Sequence, residues 1–208
     1  GTAKSSLSGC DINVFPVWEN YTTGNPDVVV CVVDGGVDYE HEDLADNMWT
    51  DPTVSGRKVY GYNFCNDSRQ IVADDHGTHV AGTIAAVNNN GLGVCGIAGG
   101  NKAAGQPGVK IMSAQIFGEG NGSGGGVEAI KWGADHGAVI SQNSWGYVDA
   151  QTAPQALKVS VDYFNKYAGF DENGNQVGPM AGGVVIFSAG NEDRDYSSGD
   201  YEGMITVA

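Results

Sequence analysis

The run Val28-Val29-Val30-Cys31-Val32-Val33, closed by Asp34-Gly35-Gly36, restricts the fold of this chain more than any other segment. Five of its six apolar residues are β-branched, so it reads as a strand. No polar residue alternates with them to mark a solvent face. A strand of that kind needs cover on both sides, which points to a parallel sheet between helices. Its last residue is a carboxylate followed by two glycines, so the strand runs from a dry core straight to a polar rim.

The remaining sequence repeats the theme. Short runs rich in Val, Ile and Ala at 109–116, 138–143, 183–188 and 204–208 read as further strands. Helical patterns lie between them. One starts near His76 and runs to about Ala86, and a second spans Gly126 to His136. A third starts near Pro154, sets Leu157, Val161, Phe164 and Ala168 on one face, and stops at Gly169. The alternation predicts an α/β fold: a mostly parallel sheet with helices on both faces. The 208 residues suit one domain, and no linker or internal repeat divides them. Many of the glycines fall in connections, notably 91–108 and 118–126.

Charge and composition narrow the function. A net charge of −15 would repel phosphates, which excludes nucleic acid and anionic membrane as natural partners. No apolar run is long enough to span a bilayer. The opening Gly1-Thr2-Ala3-Lys4 reads as a processed or engineered start, and the acidity suits a secreted protein of the extracellular or periplasmic space. The cysteines, Cys10, Cys31, Cys65 and Cys95, are too few for a disulfide scaffold and wrongly spaced for zinc. Cys31 reads as a small buried hydrophobe. The pairing of the others is not set by the sequence.

Ligands of open parallel sheets sit beyond the carboxyl ends of the strands. Asp34, Asn143-Ser144 and Ser188-Ala189-Gly190-Asn191 all follow strands, and His76 at a helix start belongs to the same rim. Each has a chemical use. Asp34 could hold an imidazole in one tautomer. His76 would sit at a helix N-terminus, whose positive partial charge favours the neutral ring a general base needs. The Asn191 amide could donate to a developing oxyanion. The small residues Gly77, Ala81 and Gly82 would let the helix approach the sheet closely. Taken singly, each polar residue is also ordinary: an aspartate or asparagine after a strand is commonly a turn former, and a histidine at a helix start is commonly structural.

The segments Val33-Asp34-Gly35-Gly36-Val37-Asp38 with His41-Glu42-Asp43-Leu44, Asp74-Asp75-His76-Gly77-Thr78-His79-Val80-Ala81-Gly82, and Phe187-Ser188-Ala189-Gly190-Asn191-Glu192 resemble, in that order, the aspartate, histidine and oxyanion-asparagine motifs of subtilisin-like serine proteases. The resemblance runs from about Asp11 onward and makes residues 1–208 a peptidase domain that would be incomplete at its C-terminus. It implies a serine endopeptidase in which Asp34 orients the base, His76 is general base and acid, and Asn191 stabilises the oxyanion, while His79 is not the base. No cofactor is required for that chemistry. Asn143, Ser144, Trp145 and Gly146 would back the pocket for the residue before the scissile bond. Ala189 and Gly190 would form its opposite wall, and 119–126 would border a cleft for an extended peptide. Trp145 stands where the family commonly has a smaller aliphatic residue. Val87 to Val94 resembles the family's calcium loop, so Asp43, the Asn90 side chain and the carbonyls of Val87, Leu92 and Val94 would form an oxygen-only site for structural Ca²⁺. Asp171 to Asn175 has a calcium-like composition without EF-hand spacing and reads as a surface turn.

The chain departs from the family pattern at its end, where no serine sits in the Gly-Thr-Ser-Met-Ala-type motif that follows a strand like 204–208. The partners expected are therefore a peptide or protein substrate and a C-terminal fragment of the same protease that carries the serine. Two other readings stand beside this one: a truncated or inactive homologue that binds peptides, and a metallohydrolase built on Asp34, His76 and His79. The second lacks the H-E-x-x-H arrangement of a zinc peptidase.

Overall fold

A computed structural model describes residues 9, 11–118, 122–147, 152–171, 173–191 and 201–207. In chain order the elements are α1 (Phe15–Asn20), β1 (Val29–Gly35), β2 (Gly61–Asn63), α2 (Asp75–Ala85), β3 (Gly100–Asn101), β4 (Gln106–Pro107), β5 (Lys110–Gly118), β6 (Gly122–Ser123), α3 (Gly126–Asp135), β7 (Ile140–Asn143), α4 (Gln155–Tyr167), β8 (Val184–Ser188) and β9 (Met204–Val207), with 3₁₀ turns at Ala45–Asn47 and Lys102–Ala104. The main sheet runs β2-β5-β1-β7-β8-β9, and every pairing along that path is parallel. An antiparallel strand, β6, joins it by folding back on the end of β5.

All seven residues of β1 are buried, as its unbroken apolar run requires. The strand serves two cores because its side chains alternate between faces. Val30 and Val32 pack with Leu44, Ile111, Ala81 and Ala85 on the α2 side. Cys31 and Val33 pack with Met112, Ile130, Leu157 and Phe164 on the α3–α4 side. Burial pushes the Cys31 thiol up to about 12, so it stays protonated and acts as the small hydrophobe expected. Helices thus cover both faces, as the alternating pattern predicts.

The helices follow from their buried stripes. In α4, Leu157, Val161 and Phe164 form the apolar face, and the chain leaves the helix at Gly169, whose φ of 77° an L side chain rarely adopts. In α2 the buried face is Gly77, Ala81 and Ala85, spaced four apart. This corrects the expectation for Gly82, which lies off that face with open space where a Cβ would stand. Five elements had no expectation in the sequence: α1, β2, β3, β4 and β6. All are six residues or shorter, too brief for periodicity to register.

Candidate functional site

Asp34 sits near the carboxyl end of β1 and is fully buried, opposite Gln115 on β5. The register slips after it, so that Gly35 faces Phe117. Such a bulge re-aims the chain at a sheet rim. Three residues of connection, 72–74, run beside this rim. Gly36 bridges Ala73, and the Asp74 N–H donates to the Gly36 carbonyl at 2.7 Å. Asp74 then caps α2, its carboxylate accepting from the backbone N–H groups of His76 (3.0 Å) and Gly77 (3.3 Å). His76 is therefore the second residue of the helix, one place later than the sequence reading put it.

The close approach is made by glycine. A Cβ on Gly77 would lie 2.0 Å from the Gly35 carbonyl oxygen, and a Cβ on Gly35 would lie 2.3 Å from an Asp74 carboxylate oxygen. With both side chains absent, the His76 ring reaches the strand end, and its Nδ1 lies 2.7 Å from Asp34 Oδ1. The Asp34 side chain has no exposure, whereas that of His76 is 56% exposed. The pair is buried at one end and open at the other. Desolvation raises the pKa of Asp34 above its ordinary value, and the hydrogen bonds from His76 and the Gly35 N–H oppose that rise. The neighbouring Asp74 charge adds to the rise. Phe117 flanks the imidazole, with ring centroids 6.2 Å apart.

The other predicted positions lie on the strands next door. β7 and β8 pair in register from Ile140 with Val184 to Asn143 with Phe187, so 144–146 and 189–191 leave adjacent strand ends. Asn143 is buried and spends its amide on Ser141, the Ile186 carbonyl and the Trp145 indole N–H, so it fastens the β7 end. Trp145 lies edge-on to Phe187 and against Gly126 at the start of α3, where a Cβ would stand 2.7 Å from its ring. Ser144 accepts from Gln142 Nε2 at 2.6 Å. Gly190 turns with φ 89°, and Asn191 after it is exposed. Of the predicted cleft border 119–126, positions 119–121 lie outside the described residues, as does the Glu192 that closes the oxyanion-asparagine motif.

The 87–94 loop closes around Asp43, which is 2% exposed. Asp43 Oδ1 accepts from Asn90 Nδ2 at 2.6 Å and Oδ2 from the Val94 N–H at 2.9 Å, while Asn90 Oδ1 accepts from the Leu92 N–H. A Cβ on Gly93 would lie 2.1 Å from Asp43 Oδ2, so the loop is cut to fit the carboxylate. The donor set, one carboxylate with amide and carbonyl oxygens, is chemically right for a hard cation, although Asn90 would have to turn its amide oxygen inward. Among the described residues no three His, Cys, Asp or Glu side chains converge to hold a metal ion. His79 does not join such a group with Asp34 and His76. Asp171 accepts from the backbone N–H groups of Asn173 and Asn175, so its carboxylate is held by its own loop.

Sequence reasoning gave no role to Asp74, Phe117 or Gln115. Asp74 could have been found from the rule that a carboxylate precedes a helix start. The other two are brought to the site by strand register, which leaves no local signature.

A parallel α/β sheet with a buried aspartate on one strand end, hydrogen-bonded to a histidine on a neighbouring helix, defines a class of proteins with an Asp–His pair at the carboxyl rim. The family model described as the subtilase family matches residues 25–208, and the chain belongs to that family. A halolysin-like extracellular serine protease, Nep, of Natrialba magadii is 38% identical over 65% of this chain and 23% of its own length. Fervidolysin of Fervidobacterium pennivorans is 33% identical over 92% of this chain and 24% of its own. The crystal structure of fervidolysin, a keratinolytic enzyme related to subtilisin, superposes with a TM-score of 0.61 at 31% identity, over 93% of this chain and 26% of that one. The prenylagaramide maturation protease PagA shares the fold, with a TM-score of 0.58 at 21% identity, covering 87% of this chain and 52% of its own. The chain thus spans about a quarter of the length of Nep and of fervidolysin.

Proposed function

We propose that this chain carries the acid and base of an Asp-His-Ser peptidase that cleaves peptide bonds in peptide or protein substrates. The 2.7 Å contact between the buried Asp34 and the half-exposed His76 carries this reading. An ionised Asp34 accepts a hydrogen bond from Nδ1–H, which leaves the unprotonated Nε2 as the open base. The serine hydroxyl gives its proton to Nε2 as its oxygen bonds to the substrate carbonyl. His76 then passes that proton to the departing amine, and water repeats the sequence to release the acyl group. Asn191 donates to the oxyanion formed at each stage. The rim residues 143–146, 189 and 190 would line the pocket beside it. The serine would come from sequence beyond Ala208, either continuous with this chain or retained as an associated fragment. The named extracellular relative supports a protein that acts outside the cell, and among the described residues no helix is long and apolar enough to cross a membrane.

Asp43, Asn90 and the carbonyls of Val87, Leu92 and Val94 would hold a structural Ca²⁺. The ion would fasten the loop after α2 and supply no catalytic step.

A fluorophosphonate probe on the purified protein, with intact-mass and terminal sequencing, tests the proposal. The expected result is a labelled serine on polypeptide that continues from or co-purifies with residues 1–208, with labelling lost in His76→Ala. Absence of labelling together with absence of peptide hydrolysis would overturn it and leave a peptide-binding homologue.

A further inference from the structure

β5 changes character along the face it turns to α2. Ile111 packs in the apolar core, but Ser113 and Gln115, two and four residues on, are polar and fully buried. Each satisfies a backbone N–H of a segment that converges on the Asp34–His76 pair. Ser113 Oγ accepts from Val37 at 3.1 Å, and Gln115 Oε1 accepts from Val72 at 2.9 Å. Gln115 Nε2 donates to the Phe117 carbonyl at 3.2 Å. These two partners fix the amide orientation, since an N–H needs the oxygen and a carbonyl needs the NH₂.

Both ends of this buried amide lead to His76. Val72 is 39% exposed, so its own side chain does little to anchor it. It stands two residues before Asp74, whose carboxylate caps the helix turn that holds His76. Phe117, tied at the other end, flanks the imidazole ring. The space is fitted to the amide on both sides: a Cβ on Gly36 would lie 2.9 Å from Oε1, and one on Gly118 would lie 2.8 Å from Nε2. Gln115 also pairs in register with Asp34 itself. One side chain therefore references the helix lead-in and the flanking ring to the strand position beside the aspartate.

We propose that Gln115 is a positioning residue for the Asp34–His76 pair, setting the separation of the imidazole from the carboxylate through Val72 and Phe117. The inference rests on the proposed Asp-His-Ser reading for its catalytic consequence, though not for its geometry. A change of about 1 Å at a reacting pair is enough to cost roughly 10²-fold in rate.

The test compares the wild type with Asp34→Asn, Gln115→Met and Ser113→Ala. It reads the hydrogen-bonded His76 Nδ1–H proton by NMR, amide exchange at Val72 and thermal melting. Met at 115 keeps the length of the side chain and removes both hydrogen bonds. The expected result is a downfield His76 resonance in the wild type that is lost in Asp34→Asn and shifted or broadened in Gln115→Met, with Val72 exchange faster by about tenfold. Ser113→Ala, which strips a buried acceptor from a different segment, should lower the melting temperature and leave that resonance in place. Where hydrolysis is measured, Gln115→Met should lower kcat by roughly 10–100-fold with KM nearly unchanged. An unmoved His76 resonance in folded Gln115→Met overturns the proposal. So does an equal displacement in Ser113→Ala, which would mark general loosening. If Gln115→Met fails to melt cooperatively, Gln115→Glu takes its place; it keeps the acceptor for Val72, so Val72 protection should survive while the tie to Phe117 is lost. A wild-type resonance that ignores Asp34→Asn would instead refute the pair itself and leave the role of Gln115 without an object.

Discussion

Two buried carboxylates, Asp34 and Asp43, sit at the ends of two different devices. Asp34 has a titratable partner, His76, and its Oδ2 has no hydrogen-bond partner among the described residues. Asp43 accepts from fixed donors, the Asn90 amide and the Val94 N–H, one on each oxygen. A buried polar atom without a partner costs stability, and a saturated one does not. The difference separates a carboxylate that faces an imidazole from one that ties down a loop. It also predicts opposite outcomes when each is replaced.

The largest effect should come from the partner of Asp34. On the proposed reading His76→Ala should lower kcat by about 10⁶-fold, as loss of the base does in Asp-His-Ser hydrolases, and steady-state hydrolysis of a peptide amide checks it. Asp34→Asn should cost about 10⁴-fold. The same substitution should help the fold. Because the folded-state pKa of Asp34 is raised, the stability tied to its protonation is fully present below the ordinary 3.8 and is lost as pH rises through the folded value. Asn carries no charge to bury, so melting curves should show Asp34→Asn above the wild type at neutral pH, with the gap closing below about pH 4. A variant that is both inactive and less stable at pH 7 would erase the contrast with Asp43.

Asn191→Ala should reduce kcat by about 10²–10³-fold with little change in melting, since Asn191 is exposed on a connection. Asp43→Ala should act the other way. Leaving Asn90 and Val94 without an acceptor should cost about 1–3 kcal/mol in denaturant unfolding, while kcat per folded molecule holds. The smallest effect tests the cation: if the loop binds Ca²⁺, a chelator should lower the melting temperature of the wild type and leave that of Asp43→Ala unmoved. A chelator effect of equal size in both would place the ion elsewhere.

The fold was readable where the sequence was long and one-sided. β1, β5, α2, α3 and α4 each carry a run or stripe of at least three buried positions, and their spans agree with the pattern to within a residue or two. The pair was readable because Asp34 ends such a run and His76 opens such a stripe. What stayed hidden is carried by pairing across the sheet. The bulge after Asp34 that sets Gly35 opposite Phe117, and the register that sets Gln115 opposite Asp34, join residues about 80 apart. Asn90 was read as a calcium donor from its place in the loop, and only the folded chain shows its amide nitrogen turned to Asp43.

The glycines at 35 and 77 have a consequence for anyone who would move this site elsewhere. The Asp34–His76 contact is usually pictured as two side chains, yet here it exists because two other side chains are missing. A graft that copied only the aspartate and the histidine onto another parallel sheet would hold the helix off by the thickness of a methyl group at each glycine. The transferable unit is a backbone junction, strand end against helix start, with the two functional residues as its decoration.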